Sequence, residues 1–231
     1  MNSSQQPQPP MIKFISIEGN IGAGKSTLFA KLKQYVLDNN LQQKVVFIDE
    51  PLEIWKGIID PVTGKTILEL FYENPSKWSF SFQTMVFASQ QKYIRNTLST
   101  HPECRILISE RSIEAGRNIF TKICLDSNYI NTTEMQIYDL LFETNQYPLH
   151  MTIFLNTSAD VCFERIQQRA RKGENEITME YLNQCDTYYR KWLLDAAAAD
   201  DGNNTPPAIV NVIDNNDLES VIPILMPYFI L

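Results

Sequence analysis

IKFISIEGNIGAGKST, residues 12–27, decides the fold. Its first half is a short run of apolar and β-branched residues closing at Gly19, the pattern of a strand buried on both faces. Its second half, Gly19-Asn20-Ile21-Gly22-Ala23-Gly24-Lys25-Ser26-Thr27, fits G-x-x-x-x-G-K-[ST] throughout. From Lys25 to Asp38, Leu28, Leu32, Tyr35 and Val36 recur at helical spacing. Strand, glycine-rich turn and helix in that order form the setting in which this motif holds phosphate. The glycines let successive backbone N–H groups turn inward, and the helix N-terminus adds the positive end of its dipole. Lys25 is then expected to reach the β- and γ-phosphates of ATP, and the Ser26 hydroxyl to ligate Mg²⁺.

The same short apolar runs recur along the chain. KVVFIDEP (44–51), RILISER (105–111), HMTIFLN (150–156) and AIVNVID (208–214) read as further strands. Helical spacing fills 66–73, 78–98, 134–145, 158–171 and 178–199, the last running out in Ala196–Ala199, and Asp200–Pro207 reads as a loop. Strands alternating with helices predict an α/β fold: a five-stranded parallel sheet with helices on both faces. Ligands in such sheets bind beyond the carboxyl ends of the strands. Gly19, Glu50 and Glu110 close three of these strands, which predicts one site rather than three. Residues 1–10, rich in Gln, Pro and Ser, read as a disordered tail. Residues 11–231 read as a single domain with an Arg-rich lid at about 165–177.

Hydrophobic residues make up 44% of the 231 and charged residues 20%, which excludes a mostly disordered chain, a collagen or a coiled-coil rod. Twenty basic against 27 acidic residues give a formal charge of -7, a poor balance for a nucleic acid polymer. The four cysteines lie far apart and there are two histidines, so no zinc site is expected and the thiols read as reduced. No apolar run approaches the ~18 residues of a membrane span, and MNSSQQPQPP lacks the features of a leader, so a cytoplasmic location is expected.

A GTPase would show a guanine-reading NKxD, which is absent. A small-molecule kinase needs an acceptor pocket, arginines for the phosphoryl group and a lid against water. Glu50 at the end of the second strand is the candidate base for an acceptor hydroxyl. Trp55, Tyr72, Phe80, Phe87 and Phe120 supply flat faces for a nucleobase, and the Gln83 amide offers a donor and an acceptor side by side to its edge. By itself, the spacing of Phe80, Phe87 and Tyr93 reads as core packing. Arg111 can neutralise phosphoryl charge, and Glu110 can support Mg²⁺ directly or through water. Arg165, Arg169 and Arg171 crowd a helix end in an otherwise acidic chain, with Lys172-Gly173 as a flexible joint.

Taken together, GNIGAGKST (19–27), DEPLEIW (49–55), FYENPSKWSFSFQT (71–84), ERS (110–112) and RIQQRARKGE (165–174) make the chain similar to the deoxynucleoside kinases of the deoxycytidine, deoxyguanosine and mitochondrial-type thymidine kinase group. The resemblance covers roughly residues 12–217 and implies transfer of the ATP γ-phosphoryl group to a deoxynucleoside 5′-hydroxyl. It implies Glu50 as general base, with Arg111 assisting at the hydroxyl and the phosphoryl group. It implies Gln83 as base reader in a pocket lined by Trp55, Phe80 and Phe120, with Tyr72 and Glu174 on the 3′-hydroxyl. Arg165, Arg169 and Arg171 would cover the phosphates, and helices like 78–98 and 134–145 would form a homodimer. Two positions depart from the cytidine- and purine-preferring branches: Gln90 stands where they carry Arg, and Gly116 where they carry Asp. Both changes make room for a 5-methyl group and point to thymidine, with deoxycytidine second. The rivals are a deoxynucleoside monophosphate (thymidylate) kinase and a catalytically silent nucleotide-binding subunit.

Overall fold

In the computed structural model, which describes residues 12–170, 174, 176–195, 209–214 and 218–229, β1 (Lys13–Gly19) lies at the centre of a five-stranded sheet. It pairs in parallel with β3 (Ile106–Glu110) on one side and β4 (Met151–Leu155) on the other. β2 (Val45–Ile48) extends the sheet beyond β3, and β5 (Val210–Ile213) extends it beyond β4, again in parallel. The order is β2-β3-β1-β4-β5, the all-parallel α/β arrangement expected from the alternating pattern. The expected tail 1–10, the run Ala196–Ala199, the loop Asp200–Pro207, Arg171 and the joint Lys172-Gly173 lie outside the described residues.

Both sheet faces are buried, which is why the strands are apolar nearly throughout. On one face Ile15 and Ile17 of β1, Ile106 and Ile108 of β3 and Ile153 of β4 meet Leu28 and Leu32 of α1 (Lys25–Asp38). Cys162 and Ile166 of α8 (Ala159–Arg169) and Val221 and Leu225 of α10 (Leu218–Phe229) join the same cluster. On the other face Phe14 and Leu107 meet Phe87 and Ile94 of α4 (Pro75–Thr100) and Tyr138 of α7 (Thr132–Phe142). Phe154 of β4 packs there against Tyr189 and Trp192 of α9 (Met179–Leu193).

α4 starts three residues before the expected Trp78. Asn74 caps it by accepting the Lys77 N–H, and Pro75 sits at its first position, where the missing donor costs nothing. Asn131 and Glu134 form a reciprocal cap on α7. Helices that the periodicity did not reveal are α2 (Leu52–Gly57), α10, and the run of α5 (Ile113–Ala115), a π-helical turn (Gly116–Thr121) and α6 (Lys122–Asp126). α3 (Ile67–Glu73) closes the expected 66–73 segment with a Thr66–Glu69 capping box.

Glu114 on α5 introduces a pH dependence of stability. Its Oε1 accepts from Asn145 Nδ2 at 3.3 Å, while Oε2 is buried without a hydrogen-bond partner. Burial, reinforced by the Glu18 carboxylate, pushes the Glu114 carboxyl up to about 7. A folded-state value above the unfolded one means the unfolded chain loses the proton first. Stability therefore falls as pH rises from about 4.5 to about 7, by up to about 3 kcal/mol. Glu114→Gln is expected to raise the thermal midpoint by several degrees at pH 8 and leave it nearly unchanged at pH 4, as read by calorimetry. An equal shift at both values would contradict this account.

Candidate active site

The strand carboxyl ends open into one cavity of about 480 Å³. Its floor is the loop between β1 and α1. Gly22 and Gly24 adopt φ of +82° and +99°, and a Cβ on Gly22 would stand 2.5 Å from the Cys162 carbonyl oxygen, so glycine alone fits there. Asn20 is turned into the protein: its Oδ1 accepts the Ile21 N–H at 2.9 Å, and its Nδ2 donates to Leu182 O at 2.8 Å. Ile21, Gly22, Gly24, Lys25, Ser26 and Thr27 face the cavity, and Gly19 and Ala23 supply the backbone behind it.

Lys25 is 6% exposed and donates to the carbonyl oxygens of Gly19 at 3.0 Å and Asn20 at 2.8 Å. Burial, with the neighbouring Arg111 charge, pulls its ammonium down to about 8, against the opposing pull of Glu110, Glu50 and Glu18. A polyanionic phosphate donor binds the protonated form. KM for the donor is therefore expected to be flat below about pH 8 and to climb roughly tenfold per unit above it, and a flat profile to pH 9.5 would contradict this.

The Ser26 hydroxyl donates to Glu110 Oε1 at 2.6 Å, so the two groups expected around Mg²⁺ share one spot. A hydroxyl and a carboxylate, with phosphate oxygens and waters making up the rest, is a donor set that suits this ion. No cluster of three or more His, Cys, Asp or Glu suited to a metal occurs among the described residues.

Glu50 and Arg111 meet in the same cavity. Glu50 lies two residues beyond β2, and its Oε1 accepts from Arg111 Nε at 3.2 Å. Arg111 follows β3 directly and holds φ of +72°, a left-handed conformation rare for a side chain this large. Its guanidinium stands 4.5 Å above the Phe120 ring centre. Lys25, Glu50, Arg111 and Glu110 thus line a single cavity at the ends of three elements, as the convergence of strand ends predicted.

The apolar end of the cavity is built by α2, α3, α4 and the π-helical turn. Phe71 and Phe82 stack at 4.6 Å and 12°, and Trp55 meets Phe82 edge-on at 5.8 Å. The Trp55 indole is fixed by donating to Ser89 Oγ at 3.0 Å. Gln83 and Gln90 are both buried and face the cavity, where the Gln90 Oε1 has no hydrogen-bond partner. A Cβ on Gly116 would make only ordinary contact with the Tyr138 hydroxyl, at 3.5 Å.

Phe80 corrects the sequence reading: it does not face this cavity, and Phe82 does. At about 100° per residue, Phe80 lies on the same side of α4 as Phe87, toward the sheet. Phe82 lies on the other side, next to Val86 and the pocket. For Phe80, Phe87 and Tyr93 the packing reading is the one realised.

Tyr72, Tyr181 and Glu174 line the third region, and burial, helped by Glu174, drives the Tyr72 phenol far above its usual range, so it stays protonated. Glu174 holds Arg169 through two contacts of 2.7 Å, and Arg165 donates to the Ala23 carbonyl at 3.2 Å. Arg169 is thereby tied to Glu174, and Arg165 to the backbone of the glycine loop.

Besides Phe82, the residues of this neighbourhood that the sequence did not single out include Phe71, Tyr181, Glu18 and Tyr189. Glu18 carried a signal, a lone carboxylate in an apolar strand next to the glycine loop. Tyr189 carried none.

The family described as deoxynucleoside kinase matches residues 15–222. A probable deoxycytidine kinase of fowlpox virus is 36% identical over 191 residues, 78% of this chain and 72% of its own length. A mitochondrial deoxyguanosine kinase of Xenopus laevis is 30% identical, over 87% of this chain and 82% of its own. A deoxycytidine kinase of Homo sapiens is 33% identical, over 79% and 76%.

Proposed function

The chain belongs to the deoxynucleoside kinase family, and we propose that it phosphorylates deoxyribonucleosides at the 5′-hydroxyl with ATP and Mg²⁺ in nucleotide salvage, thymidine and deoxycytidine foremost. The observation that carries this reading is that Glu50 and Lys25 line one cavity, with Arg111 bonded to Glu50. Glu50 accepts the proton of the 5′-hydroxyl as its oxygen attacks. Lys25 and Arg111 stabilise charge on the moving phosphoryl group, with Arg165, Arg169 and Arg171 closing over it. Ser26 and Glu110 would hold Mg²⁺, which would neutralise phosphate charge. Positioning and electrostatics dominate this chemistry, so several of these groups should each matter.

At the acceptor end, Gln83 reads the base edge between Trp55, Phe82 and Phe120, while Tyr72 and Glu174 hold the 3′-hydroxyl. Gly116 lines the cavity with no side chain of its own, and this absence of bulk supports a 5-methyl pyrimidine. A monophosphate acceptor would need spare positive charge beside Glu50, whereas Arg111, the arginine there, is already engaged by that carboxylate. The exposed Ile137 and Leu140 on α7 support a homodimer through α4 and α7, measurable by light scattering. Four buried free cysteines suit a reducing compartment, and we place the enzyme in the cytoplasm. No helix among the described residues is long and apolar enough to cross a membrane.

Initial rates with thymidine, deoxycytidine, deoxyadenosine and deoxyguanosine, each with ATP and Mg²⁺, test the proposal. Thymidine is expected to give the highest kcat/KM and deoxycytidine the next. A purine in first place would overturn the base preference, and no turnover with any of the four would overturn the activity.

A further inference from the structure

Arg111 is gripped from the side away from the cavity. Its Nη1 donates to Tyr189 Oη at 2.6 Å, and that phenol donates in turn to Glu18 Oε2 at 3.1 Å. The other Glu18 oxygen accepts the Ser112 backbone N–H at 2.7 Å. Glu18 and Tyr189 are both 0% exposed, and neither lines the cavity. Packing fixes the phenol independently of its hydrogen bonds. Its ring stacks on Phe154 at 5.6 Å and meets Phe120 edge-on at 6.5 Å.

A guanidinium that offers Nε to a carboxylate readily adds Nη2 to close a two-point fork, as Arg169 does on Glu174, and such a fork would occupy both oxygens of Glu50. Here they make one contact, Nε to Oε1 at 3.2 Å, while Nη1 is drawn the other way. A buried carboxylate such as Glu18 is costly unless hydrogen-bonded and compensated, so its two acceptor bonds and its link to Arg111 explain each other.

We propose that the Glu18–Tyr189 pair is the positioning device of the phosphoryl-transfer site: by holding Nη1 of Arg111 it fixes the plane of the guanidinium, and so the direction from which Nε meets a single Glu50 oxygen, leaving the other available to the acceptor hydroxyl. Tyr189 touches no substrate; it acts through Arg111. The inference rests on the deoxynucleoside kinase reading and on Glu50 as the base.

Tyr189→Phe keeps the packed ring and removes only the hydroxyl. It is expected to lower kcat roughly 10–100-fold, with KM for deoxynucleoside and donor changed by less than about threefold. A merely structural role would shift the thermal midpoint without this split. A double-mutant cycle supplies the second readout: with Arg111→Lys in place, Tyr189→Phe should cost less than about twofold further, because the Nη1 donor is already gone. Glu18→Gln, which keeps the shape but removes the charge, should lower kcat in the same direction and provides the test if the tyrosine variant does not fold. A Tyr189→Phe enzyme within about twofold of the parent, or an equal loss in both Arg111 backgrounds, overturns the inference while leaving the kinase reading intact. A parent chain inactive on every deoxynucleoside overturns that reading and the inference with it.

Discussion

Glu50→Gln is expected to lower kcat by roughly 10²–10⁴-fold while the thermal midpoint stays close to that of the parent. Glutamine keeps the length and the Oε1 acceptor for Arg111 Nε, so the 3.2 Å contact can persist. What disappears is the capacity to take the 5′-hydroxyl proton. The carboxylate is also one of two charges in a half-buried ion pair with side chains 18% and 8% exposed, so neutralising it leaves Arg111 less compensated. Glu18, through Tyr189, still balances part of that charge, which is why folding should survive. The decisive readout is the rate in single turnover at saturating donor and acceptor, where binding has no influence. Near-parental turnover would remove Glu50 from the chemistry.

Lys25→Ala is the second large effect. The ammonium is buried, lines the cavity and is held by two loop carbonyls. Removing a charged donor aimed at developing charge is expected to cost at least roughly 10²–10³-fold in kcat, with a further rise in donor KM. The stability change should be small, because the lost hydrogen bonds to Gly19 O and Asn20 O are offset by no longer burying a cation, the effect that already lowers its proton affinity. Activity and the thermal midpoint should be measured on the same preparation. Near-parental activity with an unchanged thermal midpoint would contradict the assignment of Lys25 to phosphate binding.

The parts of this fold that were legible from the chain are those written locally. The glycine loop, its flanking strand and helix, and the apolar strand cores each depend on residues adjacent in sequence. α10 escaped because Pro223 and Pro227 interrupt a segment that packing against α1 nonetheless keeps helical. The 113–126 stretch escaped because a π-helical turn at Gly116–Thr121 breaks its 3.6-residue period. α4 begins at Pro75 rather than at Trp78 because proline, having no N–H to satisfy, is well placed in a first turn.

At the site, the residues at strand ends were legible because parallel sheets bring those ends together. The side of α4 that meets the ligand was not. Neighbouring aromatics on one helix differ by about 100° in direction, and only the partners opposite decide between Phe80 and Phe82. The Glu18–Tyr189 contact joins residues 171 apart in sequence, and no periodicity on α9 distinguishes that tyrosine from a packed ring.

The most direct test of the central claim compares thymidine and deoxycytidine with their 5′-monophosphates as acceptors, with ATP and Mg²⁺, following products by phosphorus NMR. Transfer to the nucleosides, giving 5′-monophosphates, with little or none to the monophosphates, is the predicted result. Transfer to the monophosphates alone would show that the cavity serves an acceptor already carrying phosphate, and that Glu50 is not its base.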